Sequence, residues 1–278
     1  MPRPTNTAST PVFWRDPTLP FVEARWVQDG RKVCYDRHWH ETFSVGVITS
    51  GHSTYINGQH KQQVGEGALV VMNPGEVHAC NPIGDEPWSY RMFYVDTNWL
   101  AHVQGGLRGS TGTTFQPFST NARYSPRLYT AFNALCTSLT DRDSDHLNRH
   151  VSILGFISSL QSELEPGPSV TVDGGGKVER AAAYIDDNFT HSLKLDDICA
   201  AADLSASYLI RAFRKRYGVA PHEYQTNRRI QYGKAQLRRG RPIADVALEA
   251  GFADQAHFQR TFKRLTAATP GQYRALAP

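Results

Sequence analysis

One pattern occurs twice near the C-terminus, and it limits the chain more than any other feature. The first copy is LDDICAAADLSASYLIRAFRKRYG (195–218) and the second is IADVALEAGFADQAHFQRTFKRL (243–265). Leu195 matches Ile243, Asp197 matches Asp245, Ile198 matches Val246, Ala202 matches Ala250 and Leu204 matches Phe252. With one extra residue in the second turn, Leu209 matches Phe258, Arg211 matches Arg260, and Phe213 matches Phe262. The apolar spacing predicts a short helix, a tight turn and a longer helix in each copy.

Each copy has an inner and an outer face. Ile198 and Ala202 lie one helical turn apart, and Leu209 and Phe213 pack back onto them. Ser205 is expected to cap the second helix with its hydroxyl, and Gly218 to end it. In the other copy Asp254 is the cap, and Phe258 and Phe262 face inward. Ser207, Arg211 and Arg214 are left on an outer face of the first copy, and Gln255, Gln259, Arg260 and Lys263 on that of the second. A helix fits the major groove of B-DNA, where Arg suits guanine O6 and N7 and Gln suits adenine. Lys215, Arg216 and Arg264 suit phosphates, which set register rather than sequence. Tyr208 and His257 complete the DNA-facing set. The alternative is a plain helical bundle with solvated cations, and two copies at this spacing argue against it.

The charge is divided accordingly. Residues 1–176 hold 13 Lys and Arg against 16 Asp and Glu, a net of −3; residues 177–278 hold 17 against 10, a net of +7. A polyanion partner is therefore expected for the last third alone. Between the copies, PHEYQTNRRIQYGKAQLRR (221–239) reads as a stiff helix started by Pro221. It would set the reading helices about one DNA turn, roughly 34 Å, apart.

These residues resemble the AraC/XylS family of transcription regulators. The resemblance rests on LSASYLIRAFRKRYGVAPHEYQTNRRIQYGKAQL and RPIADVALEAGFADQAHFQRTFKRLTAATPGQYR. It implies Ser207, Ile210, Arg211, Gln255, Ala256, Gln259 and Arg260 as base-facing positions. It also implies a glycine where this chain has Ala267, so the helix is expected to end differently.

The preceding part reads differently. Residues 1–20 contain five prolines and little periodicity, and read as an arm. From Phe21 to Asp96, short apolar runs such as FSVGVIT (43–49), STYI (53–56), ALVVM (68–72) and YRMFYV (90–95) are cut by turn residues. Asn57-Gly58 predicts a type I′ hairpin. The spacing predicts a small antiparallel β-barrel, or a sandwich. Helices follow at about 97–103, 125–140 and 144–164. In the last, Leu147, Val151, Leu154, Phe156, Ile157, Leu160 and Leu164 form a wide stripe, to be buried on the barrel or on a twin helix. Residues 165–176, EPGPSVTVDGGG, read as a linker. The fold class is thus α+β. After the arm come a barrel over 21–122, a helical dimerisation region over 123–165, a linker over 166–176 and an all-α DNA-binding domain over 177–278. HWHETFSVGVITSG (38–51), NG (57–58) and GEGALVVMNPGEVH (65–78) resemble that family's cupin-like sensing domain. The resemblance implies a small-molecule effector in the barrel and a homodimer formed by the following helices.

His38, His40 and His78 are read as polar groups of an effector pocket, together with Ser44, Glu76, Trp39 and Arg25. Tyr55, Trp88 and Tyr90 are further wall candidates. In metal-binding cupins such an HxH pair joins a Glu and a later His around an ion. Here Ser44 stands at the Glu position, Glu41 falls on the opposite face, and Glu76 is a possible stand-in. Backbone-bonded structural histidines are the third reading. No metal or cofactor is expected. The four cysteines have no ligand spacing. With no signal-peptide pattern and no long apolar run, a cytoplasmic protein without membrane partners is expected. Double-stranded DNA is the expected partner, joined by RNA polymerase if the protein activates. The rival readings are a metal-dependent cupin enzyme fused to a DNA-binding domain and a regulator controlled by a protein partner.

Overall fold

The structure is a computed structural model and describes residues 11–109, 114–168 and 176–275. Nine strands come first: β1 (Val12–Trp14), β2 (Val22–Val27), β3 (Phe43–Ser50), β4 (His52–Asn57), β5 (His60–Gly65), β6 (Ala68–Met72), β7 (His78–Pro82), β8 (Ser89–Val95) and β9 (Ala122–Tyr124). Helix α1 (Thr97–Leu107) lies between β8 and β9, and α2 (Pro126–Thr140) and α3 (His146–Glu163) follow. The last part is helical throughout: α4 (Lys177–Asn188), α5 (Leu195–Ala202), α6 (Ala206–Tyr217), α7 (Pro221–Arg238), α8 (Ile243–Glu249), α9 (Gln255–Thr266) and α10 (Pro270–Arg274).

The strands form two antiparallel sheets, ordered β1-β2-β8-β3-β6-β9 and β5-β4-β7. The expected barrel therefore does not close. The edge strands β1 and β9 of the larger sheet pair with neither β5 nor β7, so two layers face each other, and the central strands are buried on both faces. In β3, β6 and β8 the residues Val45, Val47, Leu69, Val71, Phe93 and Val95 pack beneath α1–α3. Their neighbours Ile48, Val70, Met72, Tyr90 and Met92 face the smaller sheet. A strand covered on one side by helices and on the other by a sheet shows an unbroken apolar run rather than alternation. ALVVM and FSVGVI are such runs.

Four local expectations need correction. The hairpin at Asn57-Gly58 forms, but Asn57 pairs with His60, so Gly58 and Gln59 are its central residues. Only Gly58 has positive φ, 56°, which rules out type I′. The Asn57 amide instead turns inward to Glu76 and the Tyr55 hydroxyl. Ser205 sits at the N-cap of α6, but its hydroxyl makes no capping bond. Ala267 ends α9 in the left-handed form (φ 51°) that the family reaches with glycine, so the helix end keeps its shape at the cost of strain. Within the segment read as an arm, Val12–Trp14 is a strand paired with β2, and Leu19 is fully buried. Residues 1–10, and 169–175 of the linker, lie outside the described residues.

Candidate nucleic-acid interface and sensing site

The repeat is visible as two helix-turn-helix units. In the first, Ile198 and Ala202 of α5 and Leu209 and Phe213 of α6 close over Ala181, Ala182 and Ile185 of α4. In the second, Val246 and Ala250 meet Phe258 and Phe262 of α9 over Ile230 and Leu237 of α7. The turns correspond: Asp203 and Gly251 occupy equivalent positions and both have left-handed backbone, φ 53° and 79°. Asp254 accepts a bond from the His257 N–H at 2.6 Å and fixes the start of α9. Gly233 sets the seating of α9 on α7, since a Cβ there would lie 2.8 Å from the Phe258 ring.

Each inner face leaves an outer one free. Ser207, Tyr208, Arg211, Arg214 and Lys215 of α6 are exposed and Ile210 is half-buried. Gln255, Ala256, His257, Arg260, Lys263 and Arg264 of α9 are exposed and Gln259 is half-buried. Three of these cations, Arg214, Lys215 and Arg264, also face the N-terminal part. Arg264 pairs with Asp36 at 2.8 Å, and Arg214 borders an interdomain cleft of about 890 Å³ with Trp39, Glu76 and Tyr224.

The histidines meet. The rings of His38, His40 and His78 lie 4.6–4.9 Å apart between centroids, and the His40 and His78 Nε2 atoms are 3.1 Å apart. All three are buried. Burial holds His38 and His40 well below the usual histidine range and His78 at about 4, so the cluster is neutral at neutral pH. The three border a cavity of about 30 Å³ between the sheets, with Met72, Cys80, Tyr90 and Met92. His38 and His40 also border a second cavity, of about 20 Å³, toward α7 and α9.

The other expected wall residues divide: Arg25 and Tyr90 line the cavities, and the rest do not. Glu76 is bonded to Asn57 and to the amide and side chain of Asn73, turned away from the histidines. Trp39 packs on Val77, Val219 and Tyr224 at the domain junction. Ser44 is fully buried with no hydrogen-bond partner for its hydroxyl. Arg25 lines the second cavity and donates to the Thr266 carbonyl at 2.7 Å; its Nε and Nη2 have no partner. Tyr55 bonds the Val71 carbonyl, and Trp88 stacks on Tyr90. Tyr35, Tyr94 and Lys234 line the cavities without having been legible as site residues. Lys234 lies on a helix that reads as a stiff spacer between the two units, and only the docking of α7 brings it here. Burial lowers its ammonium to about 8.

The segment Asp36–Glu41 joins the two sites. His38 and His40 face the cavities. Asp36 pairs with Arg264, and its amide donates to the Arg264 carbonyl at 3.1 Å. The Trp39 carbonyl accepts from Asn227 at 3.1 Å and Gln231 at 2.8 Å, both on α7. Glu41 pairs with Arg228.

A ligand-binding β domain ahead of two helix-turn-helix units defines a ligand-responsive, DNA-binding transcription regulator. Two family models match the chain: an AraC-like ligand-binding domain over residues 25–154 and a helix-turn-helix domain over 198–276. The chain belongs to the AraC family of transcription regulators. It is 25% identical to the HTH-type transcriptional regulator YbfI of Bacillus subtilis over 236 residues, covering 80% of this chain and 81% of that one. It is 37% identical to the HTH-type transcriptional regulator MtrA of Neisseria gonorrhoeae over 81 residues, 29% of this chain and 27% of that one. Its fold is that of ToxT from Vibrio cholerae O395, with a TM-score of 0.56 at 14% identity over 95% of each chain. ToxT has also been solved bound to an unsaturated fatty acid, and that structure matches with a TM-score of 0.54 at 14% identity, over 97% of this chain and 96% of that one. Among the described residues no helix is long and apolar enough to cross a membrane.

Proposed function

We propose that α6 and α9 read successive major grooves of one promoter site, with Arg211 and Arg260 as the principal base contacts. The observation that carries this is the repetition itself: two capped or glycine-ended helices, each buried by a Leu/Phe or Phe/Phe pair, each offering the equivalent Arg to solvent. Ser207, Ile210, Gln255, Ala256 and Gln259 lie beside them, and Arg214, Lys215, Lys263 and Arg264 meet phosphates. Tyr208 and His257 border the same faces. The N-terminal domain senses a small-molecule effector in the cytoplasm and transmits its state through segment 36–41. A ligand achieves this only by binding the two arrangements with different affinities. RNA polymerase is the further partner if the protein activates.

The test is a binding site selected from random duplexes by the full-length protein, followed by fluorescence anisotropy on Arg211→Ala and Arg260→Ala. A bidentate Arg–guanine pair is worth about 1–3 kcal/mol of discrimination, so each variant should lose roughly 5- to 150-fold in specific affinity while its circular dichroism stays unchanged. Wild-type affinity in both variants would remove these helices from the groove.

Half of the α3 stripe supports a homodimer. Ile153, Phe156, Ile157 and Leu160 are buried within the chain, whereas Leu147, Val151 and Leu154 are exposed at i, i+4 and i+7. A second copy laid against this row would cover it.

A further inference from the structure

We propose that His38, His40 and His78 hold one divalent first-row transition ion, and that this ion acts on the DNA-binding domain through the segment that carries two of its ligands. The proposal rests on the sensing role given to the N-terminal domain and names what that domain takes.

The first argument is the donor set. The ligating atoms of the three residues all lie within 4.8 Å of one another. Around a tetrahedral ion with bonds of about 2.0–2.1 Å, ligand atoms sit about 3.3 Å apart; closing on an ion takes ring rotation together with a small shift of the segment that carries His38 and His40. His38 Nδ1 lies 2.8 Å from the Asp36 carbonyl and His78 Nδ1 2.8 Å from the Glu76 carbonyl. A carbonyl only accepts, so both Nδ1 atoms carry the proton and both Nε2 atoms present lone pairs. Backbone carbonyls orient metal-ligating histidines in this way.

The second argument is what the cluster lacks on its own. If His40 donates from Nε2 to His78, its Nδ1 is a buried acceptor, and that atom has no partner. If His40 carries its proton on Nδ1, two lone pairs face each other across 3.1 Å. A cation between the rings removes the lone-pair clash by taking both Nε2 atoms as ligands.

The third argument is size. The adjoining cavity of about 30 Å³ compares with the 300–1,000 Å³ typical of sites for drug-sized ligands. It has room for an ion's water or for one small ligand atom group. Neutral nitrogen donors without carboxylate or thiolate suit zinc, cobalt or nickel rather than magnesium or calcium. Three histidines leave one position open, and the nearby cations Arg25 and Lys234 favour an anionic fourth ligand. Moving His38 or His40 onto an ion pulls on Asp36, Trp39 and Glu41, whose partners are Arg264, Asn227, Gln231 and Arg228.

Full-length protein is dialysed against chelator and titrated with Zn²⁺ by calorimetry and with Co²⁺ by visible absorption, without DNA. One ion per chain is expected. His40→Ala and His78→Ala should weaken binding by about 100-fold or more, whereas the exposed His52→Ala and His60→Ala should leave it unchanged. Substoichiometric binding, or binding unchanged in the folded His40 and His78 variants, overturns the site. Should those variants fail to fold, X-ray absorption on the wild-type zinc complex decides: three imidazoles at about 2.0–2.1 Å support it, and a shell with fewer than two overturns it. Zinc should also change wild-type affinity for the selected duplex at least about threefold. Stoichiometric zinc with unchanged DNA affinity overturns the regulatory half. Since the metal titration contains no DNA, it stands or falls separately from the groove assignment.

Discussion

Ala267 sits at φ 51°, ψ 22°, with its amide 2.7 Å from the Lys263 carbonyl. An L-residue in this region costs about 1 kcal/mol that glycine avoids. Its methyl packs against the cluster between the sheets, which offsets part of the strain. Ala267→Gly should therefore stabilise the chain by about 0.5 kcal/mol and raise the melting temperature by about 1–2 °C. A lower melting temperature in a differential scan would show that packing outweighs strain. Asp203 holds the same backbone form in the first unit, but Asp tolerates it better, and its carboxylate meets Lys177 Nζ at 2.6 Å. The repeat thus makes its inner turn with Asp203 in one unit and Gly251 in the other, and ends its second helix with Gly218 in one and Ala267 in the other.

Elements with a strong period were legible from the sequence: α2, α3 and α7 fall within two residues of expectation, and β6 coincides with ALVVM. Others were hidden for physical reasons. β5 has four exposed residues and no apolar row. β2, VEARWV, carries two charges in a buried strand. Those charges are tolerable only because Glu23 meets Arg15 at 2.6 Å and Tyr273 at 3.2 Å, and Arg25 meets Thr266. Tyr273 and Thr266 lie more than 200 residues away, beyond any local pattern. The same limit applied to the site: the histidine trio could be named from spacing, but Lys234 and Tyr94 could not. Helix α3 was legible in position and only half so in burial, because one stripe serves two surfaces. Its outer row is the place to test association. Val151→Asp introduces a charge where burial against a second copy would desolvate it, and Val151 is 58% exposed within one chain. Sedimentation should show wild-type dimer and variant monomer with unchanged monomer stability. A variant that stays dimeric would move the interface off this row.

At the scale of the molecule, the sensing and reading parts form one bonded unit rather than two bodies on a tether. Phe13 of β1 lies in the core of the second helix-turn-helix unit, against Tyr273 at 5.1 Å between ring centroids. Arg15 bridges Glu23 and the Tyr273 carbonyl at 2.6 Å each. Glu23 is the buried anion that makes this bridge tolerable. Burial pushes its carboxyl upward, but Arg15 and Lys234 outweigh it and hold the group below its ordinary 4.5. A depressed carboxyl stabilises the folded state above its unfolded value, and that contribution is lost as pH falls through the lower folded value. Interdomain docking should accordingly be constant near neutrality and weaken below about pH 4.5. Glu23→Ala should reproduce the loss at neutral pH, because it leaves Arg15 buried without its counter-charge, a cost of about 3–5 kcal/mol. Calorimetry should then show two melting transitions, one per domain, in place of the single transition of wild type. Were the variant to melt in one transition at the wild-type temperature, the bridge would be incidental, and coupling between the domains would rest on the other contacts, those of Phe13, Arg25, Asp36, Trp39 and Glu41 among them.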